Sequence, residues 1–566
     1  MKETPPSSCN AFEISGRLID NKRDIANSFC EFFVSQAAKL CELLPNQFKW
    51  QNTSDIVQTP NRFNFRPVTK AKVLRNLNNL KASKSAGPDN LPPRLLKDAA
   101  EAIAGPLTHL INLSFKHSTF PKRLKIAKVI PLRKNLDNYR PISILPILSK
   151  IFERIAYEQF AEHLENNELI VSTQFGFRKR YNTELAVTVF TDSIRRSIDQ
   201  GKMTGAVFID LRKAFDTVEH SILLQKLPYY GILDAELNWM KSYLEERRQF
   251  VHYDGESSEV LEVEYGVPQG SILGPLLFLL HINDLVKAVE KCQVLMYADD
   301  TVIYTASQSI TEIERALTNE MGNISKWLDN NRLVINLKKG KTEAMLFGTA
   351  KRRSVIEGLN IYFGDKRINV TDSYKYLGTY LDQSLNMRLH LDKVYKKASS
   401  KLKLLSMMRP LLTRSAAESV YKAVVVPGIL YCSTPVLKIA ETDCRKFESL
   451  QNRALKIIYG KQQKDCKLMS IESNKKYKAC LLVFKCLKRT SIEVMNTCLE
   501  PLNHNQNTRN NKYAARIPRV RTEAGKKAFW FQGPKLYNEL PSSLRQLDSF
   551  IIFKHKLKQF YMDKRN

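Results

Sequence analysis

From Val294 to Tyr304 the chain reads Val-Leu-Met-Tyr-Ala-Asp-Asp-Thr-Val-Ile-Tyr, two runs of apolar β-formers on either side of an acid pair. That pattern predicts a hairpin with Asp299 and Asp300 at its tip. A second apolar strand, Gly205 to Asp210, ends on a single acid. The run Ile19 to Phe33 predicts one amphipathic helix, and Lys70 to Leu80 another, followed by the turn-rich loop Lys84 to Asp89. Gln47 to Pro60 is polar and reads as a linker. Pro121 to Val171 alternates basic loop and helix, and Gly205 to Tyr380 mixes strands and helices. After Leu385 nearly everything reads helical up to Asn503. The polar, basic run Asn503 to Arg521 reads as a loop or bridge. Ala528 to Tyr561 carries Trp530, Phe531, Tyr537, Phe550 and Phe553, enough aromatics for a small packed cap. The fold class expected from this mixture is α+β.

Charge changes the picture most. Of the net +31, +24 lies in Leu385 to Asn566, where 37 Lys and Arg face 13 Asp and Glu. So uneven a distribution points to a polyanion partner for the last third of the chain. The longest apolar stretch, Ile272 to Ile282, is broken by Gly274, Pro275 and His281 and is too short to span a bilayer. The first residues lack the apolar run of a signal peptide. A soluble intracellular chain with no membrane partner is expected. The ten cysteines form no C-x-x-C, and ordinary reduced thiols are the expectation over a zinc site.

Adjacent carboxylates repel each other and cost desolvation, so a fold tolerates them most easily where cations sit. Asp210, Asp299 and Asp300, at the ends of neighbouring strands, can hold two Mg²⁺ ions, the arrangement that transfers nucleotidyl groups. The Leu211 carbonyl is a further candidate ligand. Asp216, next to Thr217, reads better as a helix N-cap. Phe215, five residues after Asp210, either folds over a nucleotide sugar, where its ring would collide with a 2′-hydroxyl, or packs in the core. The loop Gly266 to Pro275 leads into an apolar helix, Leu276 to Leu285. Its glycines, Gly270 among them, allow close backbone approach, Gln269 offers donor and acceptor, and the helix N-terminus offers positive charge to phosphate. Arg140 and, second, Lys128 are candidates for triphosphate contact, with a solvated basic face as the alternative. Phe177, Arg178 and Lys179, in the run Gln174 to Lys179, suit a nucleic-acid strand by stacking and charge. Lys341 could donate a proton to leaving pyrophosphate or merely bind it; a plain surface lysine is the commoner outcome.

In order, Asn138 to Ser143, Gln174 to Arg178, Phe208 to Asp216, Gly266 to Pro275, Tyr297 to Asp300, Asn336 to Thr342 and Lys375 to Gly378 resemble the reverse transcriptase of non-LTR retrotransposons of the jockey-like and chicken-repeat-like LINE groups. Lys84 to Asp89 looks like the N-terminal extension of those enzymes. The tail Phe529 to Lys554 resembles the end of the same reading frame. The resemblance implies a right-hand polymerase of fingers, palm and thumb, with a mostly helical basic C-terminal region. It implies DNA synthesis on RNA and DNA templates with Mg²⁺ (Mn²⁺ can substitute), from dNTPs, primed by nicked target DNA. Asp210, Asp299 and Asp300 match the family's metal-site acids, Phe215 its sugar-selecting aromatic, Gln269 and Gly270 its nucleotide-side loop, and Arg140 its fingers phosphate contact.

The domains expected are an N-terminal extension over 1–113, fingers and palm over 114–384, a helical thumb and connection over 385–500, and a basic bridge with an aromatic cap over 501–566. The chain departs from the family's pattern in three places. Met1 falls just upstream of the polymerase's own extension, so the family's endonuclease is expected to be supplied elsewhere or lost. The loop Leu132 to Asn138 is short, and Asn182-Thr183 replaces a more hydroxyl-rich pair. DNA as substrate makes the nucleus the expected residence, with Lys351-Arg352-Arg353 and Lys564-Arg565 as weak signals. Two rival readings remain open: a catalytically silent or domesticated nucleic-acid-binding remnant, and, last, a telomerase-type enzyme.

Overall fold

All seven residues of the strand Met203–Ile209 are buried, which is why it reads as an unbroken apolar run rather than an alternating one. It is the centre of a five-stranded sheet in a computed structural model that describes residues 12–14, 17–42, 59–132, 140–354, 358–460, 468–502 and 513–563. In sheet order the strands are Asn369–Val370, Glu343–Phe347, Met203–Ile209, Asp300–Ser307 and Gln293–Tyr297. All neighbours are antiparallel except the first two, which run parallel.

The chain divides into two compact units, each assembled from separated stretches. The sheet belongs to the unit built from Ser172–Asp210, Val289–Gly322 and Leu337–Asn566. One approach to the sheet is very close: a Cβ on Gly205 would lie 2.3 Å from Ile313 Cγ2, so only glycine lets the helix beginning at Ile310 sit directly on the strand. The helix Thr183–Asp199 brings Phe190 edge-on to Phe208, Tyr304 and Phe347. The same core continues through Leu402, Leu450, Val483 and Phe553.

The predicted helical stretch resolves mainly into Arg388–Met408, Arg414–Val420, Glu441–Tyr459 and Ile471–Leu487. The tail helices Phe529–Asn538 and Phe550–Asp563 pack on the last of these, with Phe553 stacked on Phe484 at 4.2 Å. The buried Asp192 carboxylate accepts the backbone N–H groups of Phe529 and Trp530, both at 3.0 Å. It thereby answers the orphan donors at the start of the first tail helix.

The other unit comprises Met1–Val171, Leu211–Ala288 and Asn323–Asn336. Its sheet orders Arg140–Ile144, Ile126–Leu132, Arg247–Tyr253 and Glu256–Ser257, with Leu261–Val263 also paired to Arg247–Tyr253. The stretch Pro121 to Val171, expected as basic loop and helix, therefore contributes two strands before its helix Ile147–Asn166. Lys128 sits on a strand and points away from the core because its neighbours Ala127 and Val129 alternate into it.

The first helix is Lys22–Cys41 rather than Ile19 to Phe33. Ile19 lies on the strand Arg17–Ile19, and the Asn21 side chain starts the helix by accepting the Arg23 N–H at 2.9 Å. The predicted helix near Lys70 runs Lys70–Asn78 behind a Thr69 cap. The expected linker Gln47 to Pro60 falls almost wholly outside the described residues, as do Asn138 and most of the short loop before it. No helix of the described residues is long and apolar enough to cross a membrane.

Candidate active site

The acid hairpin forms as its pattern predicts. Tyr297 pairs with Asp300, leaving Ala298 and Asp299 as a two-residue turn, with Ala298 at φ +54°. A positive φ at the first turn residue is what a tight hairpin needs and what alanine resists. The strain is offset by a neighbouring segment. Thr173 and Phe175 bond in parallel to the outer strand, with Met296 N to Thr173 O at 3.0 Å and Phe175 N to Met296 O at 2.7 Å. The wholly buried Gln174 turns its Oε1 inward, accepting the N–H of Gly176 at 2.8 Å and of Ala298 at 2.9 Å. A Cβ on Gly176 would stand 2.5 Å from Ala298 N. Gln174 and Gly176 therefore hold the turn that carries Asp299. Sequence reasoning missed both. The signal available was a glycine between two aromatics, which marks a close backbone approach.

Asp210 follows directly on the central strand. The last registered pair is Thr301 with Ile209, and the next position on each strand is an acid, Asp300 and Asp210. The Asp210 backbone N–H donates to Thr342 Oγ1 at 3.1 Å, and Lys341 Nζ lies 3.6 Å from Asp210 Oδ1. Lys341 is tied by its own carbonyl, which accepts the Tyr374 hydroxyl at 2.9 Å. Tyr374 stacks on Phe208 at 4.1 Å. Burial, and then the carboxylates of Asp300, Asp210 and Glu343, push the Tyr374 phenol well up. That ring sits in the negative field of the cluster. Lys341 is thus a cation beside Asp210. Among the described residues, no group of three His, Cys, Asp or Glu is gathered closely enough to hold a metal ion.

The glycine-punctuated loop, in the other unit, is braced from within. Gly270 has φ +134°, and a Cβ there would meet Ser143 O at 2.3 Å. Ser143 N donates to Gln269 O at 2.9 Å, and Gln269 Nε2 donates to Asp216 Oδ1 at 2.7 Å. Two expectations are corrected here. Asp216 is not a helix N-cap, since the next helix, His220–Lys226, begins behind Glu219, and the Asp216 carboxylate serves Gln269 instead. Nor are the amides ahead of the helix Gly274–Ile282 left open for phosphate. Buried Glu153 accepts Ile272 N at 2.5 Å and Leu273 N at 3.4 Å, while Ser271 Oγ accepts Gly274 N at 2.9 Å. A carboxylate at that end already answers the positive dipole.

The remaining candidates fall as follows. Phe215 is half-buried and stacked on Phe278 at 4.3 Å. Lys128 is half-buried on the strand Ile126–Leu132. Arg140 pairs with Leu132 through its backbone, and its side chain lies outside the described residues. Leu211 bridges to Ile335. In the Gln174 to Lys179 run, Phe175 is core, while Phe177 and Lys179 are exposed and the Arg178 guanidinium lies 4.2 Å from the Tyr181 ring centre. The part of that run open to a strand is thus Phe177 to Lys179.

Residues 131–381 match the family described as reverse transcriptase (RNA-dependent DNA polymerase). The chain is 28% identical to a probable RNA-directed DNA polymerase from transposon BS of Drosophila melanogaster, over 78% of this chain and 50% of that protein. It is 30% identical to the RNA-directed DNA polymerase from mobile element jockey of Drosophila funebris, over 70% of this chain and 44% of that one. The jockey polymerase of Drosophila melanogaster is 28% identical, over 69% and 44%. The chain thus spans half or less of the length of these relatives. The acid hairpin, the strand that ends at Asp210 and the lysine beside it all fall within the matched interval, and the chain carries a reverse transcriptase domain of the non-LTR retrotransposon type.

Proposed function

We propose that the protein is an RNA-directed DNA polymerase that extends a DNA primer with dNTPs on an RNA template, primed from nicked target DNA. The observation that carries this reading is the adjacency of Asp300 and Asp210 in strand register, with Asp299 in the turn and Lys341 alongside. In this reading the unit with the five-stranded sheet supplies the palm, and the four-part division 1–113, 114–384, 385–500 and 501–566 describes extension, fingers and palm, thumb, and terminal cap.

The donor set suits divalent ions. Its oxygens are hard, the field is negative enough to act on Tyr374, and a lysine ammonium already sits beside Asp210. Mg²⁺ needs only one or two carboxylates when substrate phosphates complete its shell, so a site open on one side is no obstacle. Asp210, Asp299 and Asp300 would hold two Mg²⁺, or Mn²⁺, with the Leu211 carbonyl as a further ligand. Held there, such ions would supply Lewis acidity toward the primer 3′-hydroxyl and positive charge against the triphosphate and pyrophosphate.

The chain's own groups do the rest. Thr342 fixes the Asp210 backbone, and Gln174 fixes the turn of Asp299. Lys341 binds the leaving pyrophosphate or gives it a proton. Phe215 bears on the sugar, and Gln269, Gly270, Lys128 and Arg140 on the incoming nucleotide. Phe177, Arg178 and Lys179 contact the nucleic-acid strand. Nuclear residence follows from DNA as substrate.

Primer extension by the purified protein on a defined RNA template tests the proposal. Incorporation is expected with Mg²⁺, falling by about 10³-fold or more in Asp299→Asn, since each decade is about 1.4 kcal/mol of lost transition-state stabilisation. Undiminished synthesis by that variant removes the acids from the chemistry. Salt-sensitive RNA binding with no synthesis under any metal would favour a binding remnant instead.

A further inference from the structure

At the start of the central strand, the end opposite the acids, lies a groove of about 970 Å³ lined mainly by polar groups. It is formed by the C-terminal turn of Thr183–Asp199, by residues Thr497 to Glu500, by the irregular stretch Arg516 to Arg521, and by Trp530. The strand's seven residues separate it from Asp210 by about 20 Å.

Four arginines line the groove: Arg196, Arg516, Arg519 and Arg521. Its two acids are already engaged within its own walls. Glu500 pairs with Arg516 at 2.7 Å, and Asp199 Oδ1 accepts the N–H groups of Arg521 and Thr522 and the Thr522 hydroxyl. Among the described residues, Arg196, Arg519 and Arg521 make no ion pair within 4.0 Å and are exposed. The Arg196 guanidinium lies 5.3 Å from the centre of the Trp530 ring, within cation–π range.

We infer that this groove binds the phosphate backbone of a single-stranded polynucleotide, a role that rests on the polymerase reading above but is separate from its chemistry. Guanidinium forks match phosphate oxygens and stack on bases, which ammonium groups do not. The volume is at the upper end for pockets that enclose one small ligand, and it is lined by repeated cations rather than by an apolar floor. A membrane surface fits less well, since Ile517 is the one exposed large aliphatic side chain in the lining.

The test is fluorescence anisotropy of a labelled 20-nucleotide single-stranded RNA, and of the DNA of the same sequence, against the full chain over a salt series. The double variant Arg519→Ala/Arg521→Ala is expected to bind at least tenfold more weakly, with the salt slope reduced by about 1.4, or about 0.7 for each phosphate no longer neutralised. Both side chains are exposed, so an unchanged melting temperature should accompany the weaker binding. The variant Lys554→Ala/Lys558→Ala removes equal charge from an exposed face of the last helix and is expected to weaken binding less than threefold. Equal weakening in the RNA and DNA arms supports backbone reading, and weakening in one arm names the strand the groove serves. The inference is overturned if the groove variant keeps its affinity and slope, if the lysine variant is weakened as much, or if the groove variant is impaired only in binding phosphatidylserine vesicles. Binding is read without synthesis. A wild-type protein that binds through the groove yet incorporates no nucleotide would sink the polymerase reading and leave this one intact.

Discussion

Phe215 shows how one residue can satisfy two readings. Its ring stacks on Phe278, yet the residue is only half-buried. Phe215→Val should admit ribonucleotides in competition assays while costing about 1–3 kcal/mol of packing. Unchanged sugar discrimination would make it a core aromatic only. His390 is a second residue whose environment sets its chemistry. Burial holds the ring neutral down to about 4 against an ordinary 6.5, although a backbone hydrogen bond at Tyr431 opposes this. Between these two values the unfolded chain binds the proton and the folded one does not. The contribution is therefore present above pH 6.5 and lost as pH falls towards 4, up to about 3 kcal/mol. The melting temperature should drop over that window, and His390→Gln should flatten the drop. A variant as steep as the wild type would place the sensitivity elsewhere.

At the scale of elements, the acid hairpin depends on a segment more than a hundred residues earlier in the chain. Gly176→Ala puts a methyl 2.5 Å from Ala298 N and must displace the turn. The expected cost is about 1–3 kcal/mol, with incorporation falling while affinity for RNA is retained. Equal loss of both would mean a general unfolding instead. The hairpin itself was legible because apolar β-formers on both sides of an acid pair are a local signal. Its latch was not, because the pairing of Gln174 with Ala298 is a tertiary fact. The same limit explains Asp216 and the helix after Gly274. Each looked open at its own position and is satisfied by a partner from elsewhere, Gln269 and Glu153.

Across the unit with the five-stranded sheet, the tail is part of the fold rather than an appendage. Asp192, buried beside Arg195 at 3.6 Å, also caps the tail helix at Phe529 and Trp530. Asp192→Leu would strand a buried guanidinium and two amides, at a cost of about 3–5 kcal/mol in chemical denaturation. A loss under 1 kcal/mol would show that the tail docks without it. The aromatic content of the tail was visible in the sequence. Where those aromatics dock could not be, since hydrophobicity is non-directional and names no partner.

Local pattern alone determined the hairpin, the strand that ends at Asp210, the helical and basic last third, and the resemblance to a reverse transcriptase, because each is written within a few residues or in the order of short motifs. Tertiary structure decided which polar groups remain available. It set the register that brings Asp210 level with Asp300, occupied the loop amides with Glu153, and gathered four arginines from distant stretches into one groove. Buried hydrogen-bond donors and acceptors must be paired, and their partners are chosen in space rather than along the chain.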